Sequence, residues 1–387
     1  MRVRITQIDG KLPNLALMKL AHYHRERGDE IIFTKRVDYD SRLMEPLQRY
    51  DRVYGSAIFA FSTKRVAEFK HNFPDAIVGG TWNIADNSTV EELIGEHKGY
   101  DYTIYDKEEF TIERANWGKH EKRSGFRDSI GFTQRGCRLK CGFCVVPKKE
   151  GKNRSVNTIN DIWRGEPWPK HLHLLDNDFF GQPREQWLTR KKEIVDGRFK
   201  VCLNQGINTR MIDKESAEAI KEMGYWDDRF AYPRLYTAWD NIGDEKRFFD
   251  GVETLERAGI PSRHLLVYML IGYDKRETWE RLFFRFKRMA DRHIMVYPMV
   301  YGDRKRTLQN GALQRTTIER GEKCLLVIGD PSDKRLEKRT LEQFQRYVIK
   351  RYYTVGFPFE EFQFAQWKKS QDVLIRTQTP TDAQFLI

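Results

Sequence analysis

The chain has 387 residues, more than one hydrophobic core usually organises, so we expect two or more folding units. Apolar residues make up 40% and aromatic residues 13% of the sequence, which excludes a chain that is disordered throughout. The formal net charge of +12 points to an anionic partner such as DNA, RNA or a nucleotide.

The lack of a recognisable membrane-spanning or signal-peptide segment, together with the cysteine usage, predicts a cytoplasmic protein with no membrane partner. The sequence has no apolar run of about 18 residues. Its first ten residues, MRVRITQIDG, lack the apolar core of a signal peptide. The five cysteines do not form a disulfide framework, because three of them lie within eight residues. Clustered thiols of this kind fit a reducing compartment.

The excess positive charge is concentrated in two segments. Residues 118–154 contain 11 Lys or Arg against 3 Asp or Glu, and residues 301–355 contain 13 against 7. We expect an anionic substrate to approach the first segment. For the second, a substrate-binding surface and an ordinary solvated surface are equally good interpretations.

Residues 1–110 alternate short apolar strands with amphipathic helices, which predicts a doubly wound parallel sheet. Strands are predicted at 3–8, 30–33, 52–59 and 76–80, and helices at 15–27 and 63–71. The segment Gly79–Trp82 ends a strand at the edge where such sheets bind ligands, although a tight turn is the favoured interpretation there.

The rest of the chain divides into three parts. Residues 111–124 are polar and charged, which is typical of a linker. From 125 to 302, six strand–helix units repeat, and residues 303–387 form a basic extension that is expected to be mainly helical. The six strands are predicted at 132–134, 171–175, 200–203, 234–239, 265–271 and 293–297.

The cysteine motif is the strongest functional signal in the sequence. Cys137, Cys141 and Cys144 follow a CxxxCxxC spacing directly after a short strand. Thiolates hold iron–sulfur clusters, and three of them leave one metal position open for chemistry. The alternatives are a chance cluster of cysteines and a zinc site completed by a distant histidine.

This spacing, with Phe143 before the third cysteine and a glycine-rich run before the first, resembles the radical S-adenosylmethionine (radical SAM) superfamily. The resemblance implies that the three cysteines hold a [4Fe-4S] cluster whose fourth iron binds SAM. Reductive cleavage of SAM would give a 5′-deoxyadenosyl radical that abstracts hydrogen from the substrate. It further implies a partial (β/α)6 barrel over 125–302 and an electron donor such as flavodoxin or ferredoxin.

The order of elements in residues 1–110 resembles the flavodoxin-like, cobalamin-binding domain that precedes the barrel in one branch of the superfamily. That branch commonly has a cobalt-ligating histidine shortly after the first strand. Here Lys11 occupies the nearest position, and an ammonium group cannot ligate a metal. We therefore expect the domain to have kept the fold without binding cobalamin.

The resemblance also implies contacts to SAM near the cysteines. Phe143 is expected to pack on the adenine side. Asp176, Asn177 or Asp178 stands where the superfamily contacts the SAM amino group, although its usual Gly-Gly-Glu is absent. A carboxylate suits an ammonium partner. Alternatively, Asp176 and Asp178 cap the following turn.

Later strand ends supply further candidates. Asn204 and Gln205 are expected to contact the ribose or the methionyl part of SAM, and Arg210 its carboxylate. Gly272 would allow close approach of the backbone to the adenine. Asp240 is a candidate substrate contact. It is equally acceptable that Arg210 is an ordinary surface cation and that Asp240 only starts the helix that follows it.

The leading hypothesis for function is a radical SAM enzyme that modifies a nucleic-acid base or nucleotide by rearrangement, methylthiolation or alkylation. One alternative is a radical SAM enzyme acting on a small metabolite or peptide. Another is a non-catalytic, metal-binding nucleic-acid protein.

Overall fold

The structure is a computed structural model, which describes residues 1–40, 49–83, 89–95, 97–113, 120–124, 126–310, 316–320 and 324–362. The chain divides into two compact units. The first unit comprises residues 1–205 and 223–231, and the second comprises residues 206–222 and 232 onwards. This division differs from the predicted boundaries at 110 and 125.

A four-stranded parallel sheet opens the first unit. Its order is β2-β1-β3-β4, and each predicted strand and helix lies within two residues of its observed bounds. The mixed α/β character and the parallel pairing are as predicted. The elements are β1 (Arg2–Gln7), α1 (Leu15–Glu26), β2 (Glu30–Thr34), β3 (Arg52–Ala57), α2 (Thr63–Asn72) and β4 (Ile77–Gly80).

The strand order creates a crevice at the carboxyl edge of this sheet. β1 lies between β2 and β3, so the connections after β1 and β3 diverge, and ligands bind such sheets at that point. Helix α1 starts there, with the Asn14 side chain accepting a hydrogen bond from the Leu17 amide (3.3 Å). Asn14 also donates to the Ser56 hydroxyl (2.8 Å), which joins the start of α1 to the end of β3.

The segment predicted as a linker is an antiparallel hairpin. Strands β5 (Glu109–Glu113) and β6 (His120–Ser124) pair with each other. The assignment of 111–124 as a linker stays a prediction, since paired strands can also connect two folding units. Phe110 and Ile112 alternate with polar residues in β5, but β6 contains no apolar residue by which a strand is normally predicted.

A second parallel sheet in the first unit has the order β11-β10-β7. Its first strand lies three residues before the predicted 132–134, because Gly131 has no side chain to mark the buried strand. Gln134 and Arg135 instead form β8, which pairs with β9 in an antiparallel ladder. The elements are β7 (Ser129–Gly131), β8 (Gln134–Arg135), β9 (Arg154–Ser155), β10 (His171–Leu174) and β11 (Lys200–Leu203).

Residues 223–231 complete the first unit beside β11. The Trp226 amide donates to the Val201 carbonyl (2.9 Å), and the Phe230 ring stacks on His171 at 4.3 Å between centroids. The helices of this unit beyond α2 are α3 (Val90–Ile94), α4 (Val146–Lys149), α5 (Ile159–Ile162) and α6 (Arg184–Asp196).

The second unit contains a parallel sheet of order β12-β13-β14. The apolar stripe of the helix Trp279–Ala290 is core: Trp279, Phe283 and Phe286 are fully buried. The elements are α7 (Lys214–Met223, whose last residue belongs to the first unit), β12 (Leu235–Ala238), α8 (Glu245–Arg257), β13 (Leu265–Ile271), α9 (Trp279–Ala290) and β14 (Met295–Val300).

Among its described residues, the extension after residue 302 contains strands as well as helices, and its mainly helical character stays a prediction. It contains an antiparallel pair, β15 (Thr316–Arg320) and β16 (Cys324–Gly329), before helix α10 (Leu341–Ile349). The apolar run that the sequence shows near 321–330 is β16, because it is too short for a helix of typical length. The polar tail after residue 362 lies outside the described residues.

All six parallel strands expected between 125 and 302 are present, three in each unit. Their closure into one barrel stays a prediction. Within the described ranges, no helix is long and apolar enough to cross a bilayer.

A buried ion pair stabilises the second unit. Arg285 on α9 is 2% exposed and pairs with Glu277, which is 8% exposed. The Arg285 guanidinium also donates to the Leu270 carbonyl (3.0 Å), and Glu277 accepts from the Gly272 amide (2.5 Å). Glu277 thus joins the end of β13 to α9.

Replacing Glu277 by alanine should lower the free energy of unfolding by about 3–5 kcal/mol, because it leaves the Arg285 charge buried without a carboxylate. Urea unfolding followed by circular dichroism measures this change. The matched exchange at the exposed Glu337 should cost less than about 0.5 kcal/mol. An equal loss in the free energy of unfolding for the two variants would contradict the assignment of Glu277 as the buried partner of Arg285.

Candidate metal centre

The three clustered cysteines lie on the loop between β8 and α4. None of the three is in a disulfide, and all are partly exposed. The Cys144 amide donates to the Cys141 carbonyl (3.0 Å), and the Leu139 amide lies 3.4 Å from the Cys137 sulfur. Burial raises the pKa of the Cys137 thiol, and the nearby Asp178 carboxylate and the other two thiols raise it further.

This donor set fits a thiolate-held metal centre. A bound cation stabilises the deprotonated thiol that burial disfavours, so metal binding would release protons from Cys137, Cys141 and Cys144. Three sulfur ligands on one partly exposed loop leave a coordination position for another molecule.

Gly136 fixes the approach to the first cysteine. Its φ of +81° lies in the left-handed region, and a Cβ atom there would overlap the Lys152 carbonyl. Only glycine permits this close passage of two backbone segments. The glycine before the motif therefore has a structural reason.

Gln134 and Asp178 hold the base of the cysteine loop. The Gln134 side chain donates to the Gly136 carbonyl (2.7 Å) and accepts from the Asp178 amide (3.0 Å). The Asp178 carboxylate receives two hydrogen bonds from Arg138, at 2.6 and 3.0 Å. Asn153 also contacts both Gln134 and Asp178. Arg138, which directly follows Cys137, is thus paired with Asp178 in the segment that follows β10.

Asp176 supports the same base from below. It is 2% exposed, and one carboxylate oxygen accepts from the amides of Thr133 (2.7 Å) and Gln134 (3.1 Å). The other oxygen accepts from the Thr133 hydroxyl. Burial raises the pKa of Asp176 to about 7, although these hydrogen bonds lower it.

Glu150 connects the two ends of the loop. Its carboxylate accepts from the Gly136 amide (3.0 Å) and from the Asn177 side chain (2.8 Å), and lies 3.0 Å from Arg135. Neither Gln134 nor Glu150 was predicted. The one available signal was Glu150 as a rare acid in the basic segment.

Asp176, Asn177 and Asp178 therefore all bond to residues 133–150. The predicted capping alternative does not describe Asp178, which makes no side-chain cap bond to the following 3-10 helix, Phe179–Gly181. The three residues position the cysteine loop.

The remaining candidates of the first unit have simpler surroundings. Phe143, which lies between Cys141 and Cys144 in the sequence, is partly buried. Asn204 contacts His173 (3.0 Å), while Gln205 is exposed after β11. His171 and His173 are packed and hydrogen-bonded, to Asp128 and Asn204 respectively, and the buried Cys202 is a core thiol.

Arg210, Asp240 and Gly272 belong to the second unit and have partners there. Arg210 forms an ion pair with Asp244 (2.6 Å). Asp240 accepts from the Leu270 amide (3.0 Å), and burial raises its pKa. Gly272 has a φ of +82°, which favours glycine whatever lies beside it.

Comparisons with known proteins give one partial match in sequence. No protein-family profile matches the chain. Over 226 residues the chain is 25% identical to the tRNA-2-methylthio-N(6)-dimethylallyladenosine synthase of Sulfurihydrogenibium sp. (strain YO3AOP1). The alignment covers 53% of this chain and 49% of the synthase. The chain thus spans about half the length of this curated relative.

A solved structure of a spore photoproduct lyase mutant, with bound AdoMet and dinucleoside spore photoproduct, aligns with 75% of this chain and 73% of that chain. The TM-score is 0.28 and the identity 11%.

Replacing Asp176 by asparagine should flatten the pH dependence of stability. With its pKa raised to about 7, the contribution of Asp176 is fully present below about pH 4 and is lost as the pH rises through 7. The free energy of unfolding should fall with rising pH more steeply in the wild type than in the variant, by at most about 1.4 kcal/mol per pH unit. Urea unfolding of the metal-free chain between about pH 5 and 8 measures it.

Asparagine can keep these contacts, since its oxygen accepts from the two amides and its amide donates to the Thr133 hydroxyl. The same exchange at the exposed Asp75 is the control and should leave the slope unchanged. Parallel slopes for wild type and the Asp176→Asn variant would show that Asp176 does not titrate in this range.

Proposed function

We propose that this chain is a radical SAM enzyme that modifies a base of RNA, with a tRNA as the substrate class. The observation that carries the proposal is the CxxxCxxC loop. Its three thiols are partly exposed, and hydrogen bonds from Asp176 and Gln134 hold the start of the loop. The partial similarity to a tRNA-modifying synthase supports the substrate class. Methylthiolation, alkylation and rearrangement of the base are all compatible with this loop.

When bound, a [4Fe-4S] cluster and SAM supply the 5′-deoxyadenosyl radical chemistry. Cys137, Cys141 and Cys144 would hold the cluster. The chain's own contribution is to keep this loop in one conformation: Asp176 fixes the two residues at its start, and Glu150 fixes its glycine. Flavodoxin or ferredoxin is the proposed electron donor.

We assign the SAM contacts in keeping with the resemblance. Phe143, Asn204, Gln205, Arg210 and Gly272 are proposed to contact SAM, with Asp240 near the substrate. The exposed amide of Gln205 supports its assignment. The ion pair with Asp244 orients the Arg210 guanidinium, which supports its proposed contact with the SAM carboxylate.

Of the three polar residues after β10, Asn177 is the one we retain as a candidate for the SAM amino group. Its side-chain nitrogen donates to Glu150, which leaves the amide oxygen to accept a hydrogen bond from an ammonium. Asp176 and Asp178 already accept several hydrogen bonds from the protein. We further propose that the N-terminal sheet acts without cobalamin, which the exposed Lys11 supports.

Replacing Cys137 by alanine should abolish both cluster binding and SAM cleavage, because two thiolates do not complete the site. After anaerobic reconstitution with iron and sulfide, the variant should lack the broad visible absorbance. With dithionite and SAM it should release at least about 100-fold less 5′-deoxyadenosine than wild type.

The Cys202→Ala variant is the matched control and should keep the absorbance and the product, because Cys202 is a buried core thiol. A wild-type chain that binds zinc but neither iron nor SAM would overturn the enzyme assignment and leave a metal-binding protein.

The substrate class is tested through three exposed cations of the basic segment 118–154. Exchanging Arg127, Lys140 and Lys152 together for glutamine should weaken tRNA binding and lower its salt dependence. Each lost phosphate contact reduces the slope of log K against log salt by roughly 0.7–0.9. The same exchange at the exposed Lys214, Lys246 and Lys275 of the second unit is the control.

Anaerobic turnover followed by mass spectrometry of the digested nucleosides identifies the product. A new modified nucleoside is expected from tRNA, and it should be absent with the Cys137→Ala variant. A wild-type enzyme that makes 5′-deoxyadenosine but leaves tRNA unbound and unmodified would move the assignment to a small metabolite or peptide.

A further inference from the structure

A cavity of about 180 Å³ lies within the first unit, at the carboxyl edge of the sheet β2-β1-β3-β4. The start of α1, the ends of β3 and β4, helix α3 and the two flanks of the cysteine loop line it. Its volume far exceeds the roughly 10–15 Å³ that one water needs. It is smaller than the roughly 300–1,000 Å³ of sites for drug-sized ligands, so it suits a small molecule.

The cavity wall carries excess positive charge. Four cations, Lys19, Arg135, Lys149 and Arg154, face two carboxylates, Glu91 and Glu150. Lys19 lies 3.6 Å from Glu91, and Arg135 lies 3.0 Å from Glu150. An excess of two positive charges in a partly enclosed space favours an anion, because the low local dielectric strengthens the attraction.

Two of these cations lack a carboxylate partner among the residues that the structure describes. Lys149 on α4 is partly buried and forms no ion pair there. Arg154 donates to the Glu150 carbonyl (2.7 Å) and pairs with no carboxylate in the same ranges. Burial lowers the pKa of Lys149, and the neighbouring Arg135 lowers it further. A bound anion would offset both effects.

The backbone at this edge also favours negative charge. Helix α1 has 12 residues, and its first turn, which lines the cavity, contains no acidic side chain. The positive end of its dipole is therefore not neutralised by a carboxylate. Gly79 and Gly80 at the end of β4 also line the cavity and bring no side chain into it.

Aromatic side chains lie next to the cations. Tyr54, Tyr100 and Phe132 line the same cavity, and the Arg135 guanidinium lies over the Phe132 ring at 4.4 Å. An anionic group can therefore meet Lys149 and Arg154 while an attached planar group meets an aromatic surface.

We propose that this cavity binds the phosphate group of a small phosphorylated molecule. Lys149 and Arg154 supply the charge-assisted hydrogen bonds, and the start of α1 adds its backbone dipole. The site is separate from the cysteines and does not depend on the proposed radical chemistry. It nevertheless shares Arg135 and Glu150 with the network at the base of the cysteine loop.

Isothermal titration calorimetry on the anaerobically reconstituted full chain tests this site, in buffer free of phosphate and sulfate. Inorganic phosphate and uridine 5′-monophosphate are the probes, with uridine as the unphosphorylated comparison. Replacing Lys149 by glutamine should weaken binding at least about tenfold, whereas Lys149→Arg should keep it within about threefold. Lys148→Gln, which removes a neighbouring exposed charge, should bind like wild type.

Equal affinity for the two phosphate probes would identify free phosphate as the ligand, and tighter binding of the nucleotide would identify an organic phosphate. Either result supports the site. Uridine binding as tightly as its monophosphate, equal weakening by Lys148→Gln, or no wild-type binding at millimolar phosphate would overturn it. The Cys137→Ala variant should bind both probes normally, so this proposal and the enzymatic one fail separately.

Discussion

The buried carboxylate of Asp176 is the contact on which the cysteine loop depends. Removing a carboxylate from water costs several kcal/mol unless hydrogen bonds replace its hydration. Here two backbone amides and a hydroxyl from residues 133 and 134 replace it. Because these residues lie only a few positions before Cys137, Asp176 sets the direction in which the chain enters β8 and approaches the cysteines. Gln134, Asp178 and Glu150 then extend this constraint to the far end of the loop.

Much of the positive charge in residues 118–154 is used inside the first unit. Arg138 pairs with Asp178, and Arg135 pairs with Glu150 while lying over an aromatic ring. These cations shape the loop and its neighbouring cavity, so the net charge of the segment overstates what solvent meets. Arg127 and Lys140 remain exposed and are able to contact a phosphate backbone.

The sequence predicts local features of this chain well and long-range contacts poorly. The elements of residues 1–110 follow from periodicity and capping, as with α1 after Asn14, and the thiol cluster follows from its spacing. The pairing of β5 with β6 was missed because β6 contains no apolar residue, although Phe110 and Ile112 alternate with polar residues in β5. The roles of Asp176 and Glu150 were missed because each bonds to residues 14 to 43 positions away, which no local pattern encodes.

The return of residues 223–231 to the first unit affects how this protein can be made and divided. Trp226 bonds to the backbone of β11 and Phe230 stacks on His171 of β10, so a fragment ending at Gln205 would lose both contacts and expose the edge of β11. During synthesis the first unit cannot be completed until the segment through Ala231 has left the ribosome, by which time part of the second unit is already present. A chimaera that exchanges this unit with a relative must therefore carry two separate pieces of sequence.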